Sequence, residues 1–261
     1  MTAGTRRLPP GRYRFRHVAR MEWVKLASLR STWATLGTAI AAAAGIAVAV
    51  AAGTKTTPSQ DLTNSMMTGM FAGVLLAGVL GVLAVTSEYT SGTIRATLAA
   101  APRRPLVLAA KAAVFGIVTL ITGQAAAFLA FFAGRTALGH GIAAPALGQP
   151  GVLRTIVLSG ASLALIGLLG LGLGAIIRHT AAAVTVLAGI VYAGELFIGQ
   201  LDRTIDAYLP AYIVGDTLGG RTCGPGAAGC PLPAWAAMSV LAAYAAAALL
   251  IGGCILAWRD A

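Results

Sequence analysis

The sequence predicts an all-α, polytopic integral membrane protein, with six transmembrane helices behind an N-terminal amphipathic interfacial helix. Three observations predict it. Hydrophobic residues are 57% of the 261 and charged residues only 10%, against roughly 25% charged in an average soluble chain. The charged skin that keeps a core of this size dissolved is therefore missing. Six apolar runs each reach the roughly 20 residues needed to cross a ~30 Å hydrocarbon core. The basic residues, which give a net charge of +11, flank these runs instead of forming the solvated, aromatic-interleaved face of a nucleic-acid reader.

Residues 16–31, RHVARMEWVKLASLRS, interleave Val18, Met21, Trp23, Val24, Leu26 and Leu29 with Arg20, Glu22, Lys25 and Arg30. At helical spacing Val18, Met21 or Trp23, Val24 and Leu29 fall broadly on one side. A helix in the membrane interface buries such a side while Lys and Arg reach phosphates and water. A solvated basic tail that only sets topology is the alternative. The six runs follow at 32–53, 66–86, 106–133, 152–177, 181–200 and 234–257. Strands are not expected, because the runs are Ala-, Leu- and Gly-rich and do not alternate. Only Arg178, His179 and Thr180 separate the fourth run from the fifth, which makes a tight helical hairpin, since no single span is 49 residues long. The first run is too long for the apolar region of a signal peptide, so no cleavage is expected. The chain thus divides into a basic tail with its interfacial helix, 1–31, and one six-helix transmembrane domain, 32–258.

Orientation follows from the basic residues on alternate sides of the spans. Fourteen lie on one side: eight in the tail, then Arg95, Arg103, Arg104 and Lys111 in the second loop, Arg178 and Arg259. Five lie on the other: Lys55, Arg135, Arg154, Arg203 and Arg221. Both termini and the loop 87–105 are therefore expected in the cytoplasm, and the loop 201–233 outside. Pairs such as Gly69-x-x-x-Gly73 and Gly170-x-x-x-Gly174 let helix backbones approach inside lipid; they identify no substrate.

Little in the chain carries chemistry. Three cysteines without CxxC or HxxxH spacing, and the isolated His17, His140 and His179, offer no metal site. The GTKTT at Gly53 lacks the second glycine and the strand–helix setting of a phosphate loop, and no GxSxG or HExxH occurs. No catalytic residue is expected, so energy must come from a partner or a gradient. Glu195 is the one clear ionisable group read within a span. A hydrogen-bonded carboxyl with no transport role is its alternative reading. No acid lies between Glu88 and Glu195, so a proton relay is missing. Cys223 and Cys230 fall in an exterior, oxidising loop whose three intervening glycines permit a disulfide, with two free thiols as the alternative. Cys254 lies within a span.

The most informative stretch is SEYTSGTIRATLAAAPRR, Ser87 to Arg104. By physics alone, its arginines serve equally well as a topology signal or as contacts to an acidic or carbonyl-lined partner groove. The stretch resembles the E-Y-x-x-G-T-I-R-x-T-L-x-x-x-P-R-R segment of permease subunits of the type-2 ATP-binding-cassette exporter family, particularly its high-GC Gram-positive (actinobacterial) members. EWVKLASLRSTW, Glu22 to Trp33, is similar to the family's opening, and the YLP at Tyr208 to a motif before its last span. The insert CGPGAAGC is not a family feature.

The resemblance implies a cell-membrane, multi-pass permease that exports an amphipathic small molecule, peptide or lipid. ATP and magnesium would be held by a separate ATPase subunit, and this chain would hold no cofactor. A second permease subunit, forming a homodimer, and membrane lipid are the other implied partners; nucleic acid is not one. A non-transporting interaction or immunity protein of the same fold, or an ion-coupled carrier, are the rival readings. Coupling to the ATPase is assigned by the resemblance to Glu88, Tyr89, Gly92, Ile94, Arg95, Leu98, Arg103 and Arg104, and the interfacial helix to Glu22, Trp23, Lys25 and Arg30. Ile94 and Leu98, four apart, share one face of a short helix beside Arg95. Pro102 ends that helix, and Arg103 and Arg104 reach lipid phosphates. Glu88 at the membrane boundary is expected to pair with Lys25 or Arg30.

Overall fold

The computed structural model describes residues 15–54, 59–93, 104–139, 142–193, 208–210, 212–214 and 233–258. Among these, all regular structure is helical. The elements are α1 (Phe15–Ser28), α2 (Arg30–Gly53), α3 (Ser59–Met67), α4 (Met70–Thr90), α5 (Arg104–Thr136), α6 (Val152–Ile177), α7 (Thr180–Ala188) and α8 (Ala234–Trp258). The last turn of α7 widens into a π-helical turn, Gly189–Ala193.

Five segments are long and apolar enough to cross a membrane: α2, Leu62–Thr90, Pro105–Thr136, α6 and α8. The fourth expected run matches α6 at both ends. The second begins earlier and ends later than the expected 66–86, because α3 runs into α4 across a single turn at Thr68 and Gly69. The fifth expected run, 181–200, is described only to residue 193. Its apolar helix Thr180–Tyr192 is shorter than a span. Glu195, Cys223 and Cys230 lie outside the described residues, and Cys254 is an exposed free thiol.

The helix ends have local causes. Gly151, at φ 89°, opens α6, and Arg178, at φ 59°, closes it with its N–H on the Gly174 carbonyl at 3.0 Å. His179, isolated in the sequence, caps α7: its Nδ1 accepts the Ala182 N–H at 3.3 Å. At the end of α4, Gly92 takes φ 70°, a left-handed conformation glycine adopts without steric cost.

Helix α6 is the most enclosed of the five and packs against α4, α5, α7 and α8. Lipid tails supply no hydrophobic drive between helices, so close backbone approach must hold them. At Gly81 an added Cβ would overlap the Gly167 carbonyl, and at Gly170 it would overlap that of Gly78. Helices α4 and α6 therefore touch backbone to backbone. Both Gly-x-x-x-Gly pairs read from the sequence lie on packed faces: Gly69 on Ala43, Gly73 on Leu163, Gly170 on Gly78 and Gly174 on Val82. Large side chains fill the space that remains, with Met66, Met67, Met70, Phe131, Ile156 and Leu163 fully buried.

Helix α5 has 33 residues and is thus about 50 Å long, well beyond a ~30 Å hydrocarbon core. Near its middle, Gly123 sits against the Gly160 carbonyl and Gln124 Nε2 donates to the Val157 carbonyl at 3.0 Å. Far from the α4–α5 connection, the Tyr192 hydroxyl donates to the Phe71 carbonyl at 2.8 Å and ties the π turn to the start of α4.

Gly170→Val is expected to cost about 3 kcal/mol, since a backbone carbonyl cannot yield as a side chain does. Gly37→Ala, where nothing lies within 4 Å, leaves packing unchanged. Gel filtration in mild detergent reads the difference: an aggregated Gly170→Val beside a monodisperse Gly37→Ala. A monodisperse Gly170→Val of normal thermal stability contradicts the packing argument.

Candidate functional site

At the end of the bundle where α4 stops and α5 begins, four charged side chains from three helices close into a ring. Val18 of α1 packs with Val107 and Ala110 near the start of α5. That contact turns Glu22, one helical turn after Val18, toward the bundle, where it is buried. Lys111 Nζ donates to Glu22 Oε2 at 2.5 Å and to Glu88 Oε1 at 2.8 Å. Lys25 Nζ donates to Glu22 Oε1 at 3.1 Å and to Glu88 Oε1 at 3.0 Å. Carboxylate and ammonium alternate, and the four formal charges sum to zero.

Neutrality is what allows this burial. A lone charge at such a boundary carries a desolvation cost of several kcal/mol, which a partner with good geometry offsets. The two lysines are not equivalent. The Lys111 side chain is 11% exposed and that of Lys25 36%, so Lys111 is the inner member. Burial acts to lower the Lys25 pKa, but the charges of Glu22 and Glu88 outweigh it and hold the ammonium above its ordinary 10.5. The link from α1 to α4 is therefore complete below pH 10.5 and weakens only as pH rises through the raised value.

The ring shows which sequence readings come together. Glu88 meets Lys25, one of the two partners expected for it; Arg30 heads α2 and is exposed. Glu22 does not project into water beside Lys25 but lies inside. The single apolar face expected for α1 is divided, because Val18 packs on protein while Trp23, Val24 and Leu29 remain exposed. Helical periodicity groups these residues but cannot tell a protein neighbour from lipid.

Lys111, counted above as a loop cation, is instead in the second turn of α5 and buried. Its signal was available: an ionisable residue just inside an apolar run implies an opposite charge nearby. Arg104 begins α5, with its side chain outside the described residues. Ile94, Arg95, Leu98, Pro102 and Arg103 also lie outside them.

Tyr89, next to Glu88, points another way. The Arg178 guanidinium carbon lies 5.2 Å from the centroid of its ring, and Thr180 Oγ1 donates to Thr86 Oγ1 at 2.9 Å. The last two turns of α4 thus meet α1 and α5 through Glu88, and the α6–α7 turn through Tyr89 and Thr86. Among the described residues no three His, Cys, Asp or Glu side chains gather as metal ligands. The arrangement holds helices together and offers no chemistry on a substrate.

Comparison with known families gives one informative result. Residues 24–207, more than half of the chain, match the family described as ABC-2 family transporter protein. The match includes Lys25, Glu88 and Lys111 and begins two residues after Glu22. No curated protein matches the chain.

Lys111→Met leaves two buried carboxylates with one half-exposed lysine and is expected to cost about 3 kcal/mol. Lys25→Met, at the more solvated corner, costs about 1 kcal/mol. Adding Glu22→Gln to Lys111→Met recovers part of the loss, and thermal unfolding in detergent measures the coupling. Strictly additive losses would mean that the four charges do not act as a ring.

Proposed function

Because the chain belongs to the ABC-2 transporter family, as a membrane subunit without an ATPase domain, we propose that it is the permease of an exporter driven by a separate ATPase. In this reading two copies of the permease and two ATPases form the working unit. ATP and magnesium reside in the ATPases, and an amphipathic small molecule, peptide or lipid moves outward. The chain crosses the membrane six times, with both termini and the segment 87–105 in the cytoplasm, and 1–31 lies ahead of the transmembrane domain 32–258. Helix α1 rests on the inner leaflet, with Arg16, Arg20, Trp23 and Val24 on its exposed face toward headgroups. The segment from Ser87 to Arg104 supports placing the chain with the high-GC Gram-positive members.

One observation carries the reading: Glu88, at the root of the segment proposed to dock on the ATPase, is locked by Lys25 and Lys111 to α1 and α5. A push on the segment is therefore delivered to helices at once, since a closed ring of ion pairs leaves little slack. In the proposed docking contact Ile94 and Leu98 supply an apolar face with Arg95 beside it, and Arg103 and Arg104 hold the entry to α5 at lipid phosphates.

Ile94→Asp combined with Arg95→Glu is expected to leave the permease inserted and abundant while it loses export or ATPase coupling at least tenfold, a change of about 1.4 kcal/mol or more. The assay is ATP turnover of the permease reconstituted in lipid with a candidate ATP-binding-cassette ATPase that co-purifies with it. Normal binding and turnover would reduce the segment to a topology signal. Orientation is checked separately in a background whose three cysteines are serine. Thr57→Cys and Gln149→Cys are expected to react with an impermeant thiol reagent on intact cells, and Thr5→Cys is not. The opposite pattern inverts the topology.

A further inference from the structure

Resting on the docking reading, we propose that Arg178 is a positioning residue: stacked on Tyr89, it relays displacement of the 87–104 segment to the α6–α7 turn and the base of α8. Three observations carry it, and the ring described above uses none of them. The first is the backbone. Arg178 is the one non-glycine residue with positive φ among the described residues, at φ 59°, and it stands where helices commonly end in glycine. A left-handed conformation costs an L residue roughly 1–2 kcal/mol that glycine would not incur. Capping alone does not call for an arginine here.

The second observation is where the side chain goes. It is half-buried, its guanidinium lies over the Tyr89 ring at 5.2 Å, and Nη2 points at the Ile255 carbonyl at 3.5 Å. Ile255 is in the last turn of α8, where helix carbonyls lack intrahelical partners and carry the negative end of the dipole. One cation therefore touches the end of α4 through a ring and the end of α8 through a carbonyl, from a backbone that belongs to the α6–α7 turn.

The third observation is what holds the stack. The Tyr89 hydroxyl and Arg178 Nε are buried with no hydrogen-bond partner among the described residues, so the contact is one of cation and ring face, not a bond to the hydroxyl. Thr180 Oγ1 on Thr86 Oγ1, 2.9 Å, fixes the turn to α4 one helical turn earlier. Residues 88 and 89 thus face two separate clamps. Glu88 engages α1 and α5 by charge, and Tyr89 engages the α6–α7 turn by stacking on Arg178, which in turn reaches the end of α8.

The decisive variant is Arg178→Gly, which relieves the backbone while removing the relay. In lipid vesicles with the ATP-binding-cassette ATPase that co-purifies with the wild-type chain, it is expected to fold, bind the ATPase and keep at least wild-type thermal stability. The permease-dependent change in ATP turnover should fall about fivefold. Arg178→Lys should restore part of the coupling, and Tyr89→Phe, which keeps the ring face under the guanidinium, should lose less of it than Tyr89→Leu. Tyr89→Leu should match Arg178→Gly, with the double variant no worse than either.

Wild-type coupling in Arg178→Gly overturns the proposal. So does failure of Arg178→Gly to bind the ATPase, which would place the arginine in docking itself. The Ile94→Asp, Arg95→Glu chain, run in parallel, separates the two readings. If it alone uncouples, docking stands and the relay falls; if Arg178→Gly alone uncouples, the relay stands and the docking contact at 94–95 falls; if neither does, both fall.

Discussion

The arrangement at one end of this bundle depends on the mutual neutralisation of four charges. Glu22 and Glu88 cannot be buried without Lys25 and Lys111, and Lys111 cannot sit inside α5 without both acids. This fixes more than a contact. With the Val18 contact on Val107 and Ala110, it holds one face of α1 inward and fixes how α1 lies against α5 and the end of α4. Replacement by hydrophobic residues of equal volume could leave stability unchanged, since buried ion pairs add little net energy. What hydrophobic residues cannot supply is register, because apolar surfaces slide and a ring of alternating charges does not.

Away from that end the organising force is different in kind. The α4–α6 contact is made of backbone against backbone, with Gly81 on Gly167 and Gly78 on Gly170, and its energy is dispersion summed over a close approach. Such a contact has one good distance and little tolerance of side chains. Together the two forces divide the labour. Glycine packing holds α4 to α6 along their lengths, and charge holds α4 to α1 and α5 at its end. The membrane-subunit role that the family match supplies requires helices that move in concert, and these contacts join them.

Much of the helical layout was legible because apolar runs must match a hydrocarbon thickness; α6 and α8 fall within a residue of the expected bounds. The break at Thr68 and Gly69 was not, since neither residue forbids a helix, and the close approach of the Ala43 backbone to Gly69 is a tertiary contact that local sequence does not reveal. At the candidate site, Glu88 reads as a boundary carboxylate seeking a cation, and Lys25 answers. Lys111 was hidden by its sign: counted with the arginines before it, a lysine seven residues past Arg104 looks like one more topology signal. Glu22 was hidden by its neighbours, because Arg20 and Lys25 give it an apparent solvated setting. Arg178 is a harder case, since neither its left-handed backbone nor its ring partner 89 residues away leaves a trace in local sequence. Glu195 and the cysteine pair fall outside the described residues.

The length of α5 has a mechanical consequence. A rod of about 50 Å, gripped near its middle where Gly123 and Gln124 meet α6, is a lever with its fulcrum inside the bundle. Its near arm carries Lys111, and its far arm carries Phe131, Gly134 and Arg135, with Met66 lodged against Gly134. A tilt of about 5° about that fulcrum moves each end by about 2 Å in opposite senses. A small rotation at the charged end would thus be mirrored at the other end, carried by one straight helix and by the α2 and α6 faces packed on it.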